Sequence, residues 1–153
     1  MNNSKVEELA SLAGKKAVEY LAQTENCAYS PFRAISEVLK LNVTEECVNM
    51  SIGFAGGISG SGYICGALWA TIAAVGAYQS RRKLNGKTFL ERNMHIHMKS
   101  AKIYKMFIEK FGSPNCKDLN PKFEWSSEDQ RRKCTSIVKW AAETGVREAL
   151  TLE

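Results

Sequence analysis

The chain has 153 residues, of which 44% are hydrophobic and 24% are charged, and its formal net charge is +5. This length and balance predict a single globular domain over residues 1–153 and exclude an intrinsically disordered protein, because the apolar surface is large enough to offset the entropy lost on folding. The cations lie in several short runs without a helix-turn-helix, zinc-finger or RNA-binding signature, so no nucleic acid partner is expected. Acidic residues near the amino terminus, where a secretory signal has an apolar stretch, favour a cytoplasmic location.

Apolar spacing in the first 50 residues predicts three helices. Residues 5–22 place apolar side chains three and four positions apart, which is typical of an amphipathic helix. Asn26 is a favourable cap for a second helix, and Cys27 would then lie in its first turn. Thr44 is the predicted cap of a short third helix.

The segment GFAGGISGSGYICGALWATIAAVGAY, residues 53–78, carries no charge and begins with a glycine-rich stretch. The part from about 63 to 79 predicts a helix that is buried on most of its circumference. A membrane span is the main alternative, because basic residues follow directly, but the glycines and serines would leave backbone groups unpaired in lipid. A phosphate-binding loop is not favoured, since no lysine stands at the P-loop position.

The second half of the chain predicts a long helix, a short helix and a final helix. The long helix covers residues 88–111, with Gly112 as its terminator and with Met94 and Met98 in the core. The final helix would begin at about Ser127. No stretch alternates apolar and polar residues with period two, so the predicted fold is all-α.

The predicted architecture is a bundle of about six helices around the buried helix at 63–79. The small residues on these helices would permit close approach of a second chain, and hence a homodimer. His95 and His97 point about 200° apart on a helix and are expected at the surface. No catalytic triad, carboxylate pair or nucleotide motif stands out, so the sequence leaves open whether the protein is an enzyme.

Three cysteines, Cys27, Cys65 and Cys116, lie in the first turn of a predicted helix, and Cys134 follows the cationic run 131–133. Helix N-termini and nearby cations lower the pKa of a thiol, and the resulting thiolate is the form that binds metals and exchanges disulfides. We therefore predict that these four sulfurs converge in the fold. Their spacing matches no known metal motif, so inert buried thiols stay an alternative at this point.

Four blocks of the sequence resemble the redox-active family named C_GCAxxG_C_C after its cysteine pattern. The blocks are NCA at 26–28, GFAGGISGSGYICGALWA at 53–70, FGSPNCKDL at 111–119, and KC followed by an apolar helix at 133–142. Members of this family often read Cys-Gly-Ala-x-x-Gly in the central block, and Ala70 replaces that last glycine here. The resemblance covers most of the chain and extends distantly to the non-haem part of split-Soret cytochromes. The Cys-x-x-Cys-His motif that attaches haem is missing from the sequence, so no covalent haem is expected.

The resemblance implies that the redox-active or metal-binding cysteines are Cys27, Cys65, Cys116 and Cys134, and it leaves Cys47 as a structural residue. The four would bind an iron–sulfur cluster or another cysteine-ligated metal for electron transfer with a partner protein. Backbone N–H groups of the glycine-rich segment would assist the cofactor; the candidates are Gly56, Gly57, Gly62 and Gly66. Two alternatives stay open: a metal-free thiol–disulfide protein, and a non-enzymatic helical interaction module whose cysteines only pack.

Overall fold

A computed structural model describes residues 2–81, 88–121 and 128–151 of the chain. Within these ranges it contains seven α-helices and one 3₁₀ helix, and the strand-like pairing amounts to one antiparallel bridge between Ile64 and Asn115. The α-helices are α1 Asn3–Thr24, α2 Tyr29–Val38, α3 Glu45–Asn49, α4 Gly66–Arg81, α5 Phe89–Phe111, α6 Cys116–Leu119 and α7 Glu128–Leu150; the 3₁₀ helix is Met50–Phe54. The predicted all-α fold is confirmed, with seven helices where about six were expected.

Helix α4 packs in the core of the bundle against α2, α5 and α7, and α7 contacts α1 and α2 as well as α4 and α5. This position explains why α4 carries no charge before Arg81 at its end, because neighbours cover the helix on several sides. Thr71 is accommodated in the core by its hydroxyl, which lies 2.8 Å from the Ala67 carbonyl oxygen and 3.2 Å from that of Ala141. Gly145 permits the close approach of α7, since a Cβ there would lie 2.7 Å from Ile35 Cδ1. The buried helix begins at Gly66, three residues later than predicted.

Helices α1 and α2 are joined by a cluster of charged and polar side chains around Glu37. Its carboxylate accepts hydrogen bonds from Lys16 at 2.9 Å, Tyr20 at 2.7 Å and Arg33 at 2.7 Å. Burial alone would raise the pKa of Glu37, but these three donors outweigh it and lower the pKa to about 2. The carboxylate therefore ties the start of the chain to α2, the helix that follows Cys27.

Helix α5 begins and ends where its sequence predicts. Thr88 and Glu91 form a capping box, in which each side chain binds the other residue's backbone N–H. Gly112 ends the helix in a left-handed conformation with φ of 90°, and its N–H donates to the Ile108 carbonyl at 2.8 Å. Local capping signals were sufficient to place both ends of this helix.

The prediction that Met94 and Met98 fill the core is wrong. They are 55% and 61% exposed. The reason is the peripheral position of α5, which contacts α4 and α7 on one side and buries Ile103 and Phe107 there. Apolar spacing identified the helix but not which apolar stripe faces the bundle.

Two further expectations concern the ends of the described ranges and the membrane. Ser127, the expected start of the final helix, lies outside the described residues, and α7 is described from Glu128. Among helices in the described ranges, none combines the length and the apolar character needed to cross a membrane.

Candidate functional site

Cys27 is held in the short connection between α1 and α2, directly before α2 rather than inside its first turn. The Asn26 side chain fixes this connection. Its Oδ1 accepts the backbone N–H groups of Ala28 at 3.1 Å and Tyr29 at 2.8 Å, and its Nδ2 donates to the Ile52 carbonyl at 3.1 Å. The N-cap of α2 is Ala28 and not Asn26, so the predicted cap is wrong, and the Asn26 side chain instead holds the turn that leads into the helix. It also attaches the Cys27 segment to the 3₁₀ helix that leads into the glycine-rich segment.

The glycine-rich segment folds into a compact loop that ends at the backbone of Cys65. Gly57 has a φ of 70°, and a Cβ on it would lie 2.5 Å from the Tyr63 carbonyl oxygen. Gly62 has a φ of 81° and donates its N–H to the Gly56 carbonyl at 3.1 Å. A side chain would be strained at both positions, so Gly57 and Gly62 determine the path of the loop.

A two-sided backbone contact joins the segments that carry Cys65 and Cys116. The N–H of Cys65 donates to the Pro114 carbonyl at 2.7 Å, and the N–H of Cys116 donates to the Tyr63 carbonyl at 2.7 Å. The two cysteines are 51 positions apart in the sequence. This antiparallel bridge therefore brings together two motifs that the sequence shows as separate.

The structure brings the four predicted cysteines into one region. The thiols of Cys27 and Cys116 both act electrostatically on Cys65, and the same two act on Cys134 of α7. Cys47, by contrast, is exposed on α3. The four thiols are therefore neighbours, and Cys47 is not among the groups that influence them.

A cavity of about 470 Å³ lies beside the cysteines. Cys27, Cys116 and Cys134 line it, together with Gly56 and Arg131, and α1 supplies apolar side chains to another wall. Cys65 is buried next to these sulfurs and does not line the cavity. The site therefore has room for a bound group larger than the cysteine side chains themselves.

The expectation that helix ends and cations lower the pKa values of these thiols is wrong. Burial raises the pKa of all four; that of Cys65 reaches about 12 and that of Cys134 about 11. The mutual repulsion of neighbouring thiolates adds to the effect at Cys65, Cys116 and Cys134. Desolvation disfavours the charged sulfur more strongly than the helix dipole favours it.

Backbone N–H groups nevertheless point at two of the sulfurs. Those of Gly56 and Gly66 bond to Cys27, and those of Ala67 and Leu68, at the start of α4, bond to Cys65. Each of these bonds lowers the pKa of its thiol against the effect of burial. Of the four predicted glycines, Gly56 and Gly66 thus contact a cysteine sulfur.

Asn120 is a site residue that sequence reasoning missed. Its Nδ2 lies 3.8 Å from the Cys116 sulfur, and its amide bonds also to Cys134. Asn120 is 92% buried. The signal was present in the sequence, because residues four apart on a helix share one face and Asn120 follows Cys116 by four.

The described residues contain no group of three or more His, Cys, Asp or Glu side chains already placed to hold a single metal ion. The cysteines are therefore neighbours, but their sulfurs are not gathered closely enough to coordinate one metal ion. The two histidines lie elsewhere: His97 is exposed, and the ring of His95 lies 3.3 Å from the Gln79 side-chain oxygen on α4.

Comparison with known proteins assigns the chain to a family. A model of the family described as "Putative redox-active protein (C_GCAxxG_C_C)" matches residues 25–147. The chain belongs to this family. An uncharacterized protein of Archaeoglobus fulgidus is 50% identical to the chain over 141 residues, which cover 89% of this chain and 92% of the relative. No solved structure gave a significant match. The family is named after cysteine segments that resemble those brought together by the fold of this chain.

Proposed function

We propose that Cys27, Cys65, Cys116 and Cys134 bind an iron–sulfur cluster and that the protein transfers single electrons to a partner protein. The observation that carries the proposal is the grouping of four thiols, two of them buried and two half-buried, from four separate segments, beside backbone N–H groups that point at sulfur. Membership of a redox-active family supports the class of chemistry. Four thiols are also the usual ligand set of such clusters.

The donor set and the space favour a cluster over a single zinc ion. A one-ion site needs sulfurs gathered at about 2.3 Å from one point, and the described residues contain no such group. A cluster has several metal atoms, so its ligands are farther apart, and the cavity of about 470 Å³ beside Cys27, Cys116 and Cys134 leaves room for it. Cys65 would reach the cluster from the buried side.

The protein's own groups would adjust the properties of the bound cluster. A cluster supplies one-electron redox chemistry, and hydrogen bonds to ligand sulfurs raise or lower its potential. The N–H groups of Gly56 and Gly66 at Cys27, and the Asn120 amide at Cys116, are in place for this role. The apolar wall from α1 would limit the access of water.

Anaerobic purification followed by iron and acid-labile sulfide analysis tests the proposal. We expect near-stoichiometric iron and sulfide in the wild type, and loss of both in C65S and C116S. C47S is the matched control and should keep the full content, because Cys47 is exposed on α3. Zinc without sulfide, or iron that is unchanged in C65S and C116S, would contradict the cluster. If C27S, C65S, C116S and C134S all matched C47S in every property, the cysteines would be structural and the interaction-module alternative would be favoured.

A metal-free thiol–disulfide protein is the second candidate, and the proximity of Cys27 and Cys65 favours it. Cys27 is the thiol that acts most strongly on Cys65. In this reaction the two thiols would form one S–S bond and release two protons, while two electrons pass to a disulfide or quinone acceptor. Intact-mass measurement of metal-free protein after oxidation would then show a two-proton loss that is absent in C27S and C65S. Retention of the reduced mass under those conditions would exclude this candidate.

A further inference from the structure

One wall of the cavity beside the cysteines is an apolar face of α1. The last two turns of this helix place Val18, Leu21 and Ala22 along the cavity, and Glu25 follows directly after the helix. Residues three and four positions apart share one face of a helix, so the three apolar side chains form one continuous surface. The cavity of about 470 Å³ lies within the range of about 300–1,000 Å³ that is typical of small-molecule sites.

Helix α7 lines the same cavity with groups that can hold the polar end of a ligand. Arg131, Cys134 and Thr135 lie three and four positions apart and therefore share one face of α7. A guanidinium has five N–H donors, so Arg131 can donate to a ligand oxygen in addition to its contacts within the chain. The Thr135 hydroxyl donates to the Arg131 carbonyl at 2.7 Å, and its oxygen can still accept a hydrogen bond.

We propose that this cavity binds a hydroquinone and that the cysteine site passes the electrons of this substrate to the partner protein. The inference rests on the proposed function and adds its substrate class. The apolar ring packs on the α1 face, and the two oxygens reach Arg131 and Thr135. Oxidation to the quinone breaks two O–H bonds and releases two protons and two electrons. The electrons pass singly through the cysteine site to the partner, and the protons go to water.

The charges on the cavity walls favour an uncharged molecule. Within the described residues, the charged groups that line the cavity are Glu25 and Arg131, one of each sign. Glu25 would repel a carboxylate or a phosphate, and Arg131 would repel a cation. A sugar would leave hydroxyl groups unpaired against the α1 face. A hydroquinone has an apolar ring and only two polar groups, and three of the four redox thiols line the cavity that would hold it.

Isothermal titration calorimetry with duroquinone tests the site. Duroquinone carries a methyl group on every ring carbon that a thiol could attack, so it does not arylate the cysteines. For the wild type as purified we expect a Kd on the order of 100 µM. Ala22→Trp should weaken binding at least about tenfold, because Ala22 is an exposed residue that lines the cavity, and an indole there fills the space.

Gln23→Trp is the matched control for Ala22→Trp. Gln23 is also exposed but does not line the cavity, since adjacent residues on a helix point about 100° apart. Its duroquinone affinity and circular dichroism spectrum should equal those of the wild type. At the polar end, Arg131→Gln should weaken binding about fivefold to tenfold. Arg132→Gln should leave it unchanged, because Arg132 pairs with Glu128 and Asp129 outside the cavity.

Iron and sulfide content separates this inference from the proposed function. A22W should keep the wild-type content, because Ala22 lies outside the cysteine segments. A wild type that holds iron and sulfide but does not bind duroquinone would overturn the inference and leave the cluster proposal intact, as would equal binding by A22W and Q23W. Binding that A22W abolishes, in protein without iron and sulfide, would support the quinone site and contradict the cluster.

The electron-transfer step has its own readout. Under anaerobic conditions, durohydroquinone should bleach the visible absorbance of the wild type and of Q23W, and it should not bleach that of A22W. Bleaching that is equally fast in A22W and Q23W, or absent from all three proteins, would overturn the assignment of a hydroquinone substrate to this cavity.

Discussion

The cysteine site and the outer face of α5 are built in opposite ways. The site is assembled from four segments that are distant in the sequence, and backbone contacts of 2.7 Å join two of them. The outer face of α5 belongs to one continuous helix, and its side chains extend into solvent. We therefore expect one added methyl group to lower stability strongly where backbones meet. Replacement of a whole side chain should change stability little where nothing packs on it.

The largest expected effect is that of Gly66→Ala at the cysteine site. A Cβ on Gly66 would lie 2.8 Å from the Phe54 carbonyl oxygen and 3.1 Å from the Cys27 sulfur. We expect the free energy of unfolding to fall by about 3 kcal/mol, measured by guanidinium denaturation.

Gly53→Ala is the control for this prediction, because a Cβ there has nothing within 4 Å. It should change the free energy of unfolding by less than about 0.5 kcal/mol. Equal losses in the two variants would contradict the claim that close backbone approach makes the site sensitive.

Acid should have an intermediate effect, and it should lower the stability of the partly buried α1–α2 junction more than that of the outer face of α5. Since the pKa of Glu37 is lowered from its ordinary value of 4.5 to about 2, its stabilising effect is present above pH 4.5 and is lost as the pH falls toward 2. Glu37→Gln should therefore reduce the free energy of unfolding by about 2 kcal/mol at pH 7, and the difference from the wild type should shrink in acid. Urea denaturation at a series of pH values measures this.

Glu109→Gln on α5 is the matched control for the acid experiment. Its ion pair with Lys105 is 3.9 Å long and exposed, so its removal should cost less than about 0.5 kcal/mol at every pH. A pH dependence in this variant as steep as that of Glu37→Gln would remove the distinction between the two regions.

The smallest expected effect is that of Met98→Gln on the outer face of α5. Met98 is 61% exposed, so the thermal midpoint should stay within about 2 °C of the wild type. Ile103→Val, on the buried face of the same helix, should cost about 1 kcal/mol. A larger effect at Met98 than at Ile103 would show that the two faces are assigned the wrong way round.

The sequence predicted the features that depend on neighbouring residues. Thr44, Thr88 and Gly112 marked helix ends correctly, because capping is a contact over three or four positions. The cysteines were recognised as one set by their settings and by the family pattern. Features that depend on contacts between distant residues were harder to predict from the sequence. The pKa of Cys65 is raised to about 12 because the fold buries it, and no local signal reports burial of that degree.

The position of α5 at the edge of the bundle could likewise not be predicted from the sequence of α5 alone. Both of its stripes are apolar, and only the arrangement of α4 and α7 decides which of them is covered. The contact of Cys65 with the Pro114 carbonyl is a similar case, because it joins two loops through backbone atoms that every residue possesses. Such contacts have no residue-type signature.

The distribution of the four cysteines along the chain has a consequence for the unfolded protein. They are separated by 38, 51 and 18 positions. A group bonded to all four sulfurs would close three loops and would keep them closed when the helices melt. Closing loops of this length removes conformational entropy from the unfolded chain, as a set of disulfides does. A bound cluster would therefore serve this small helical protein as a removable cross-link as well as a redox centre.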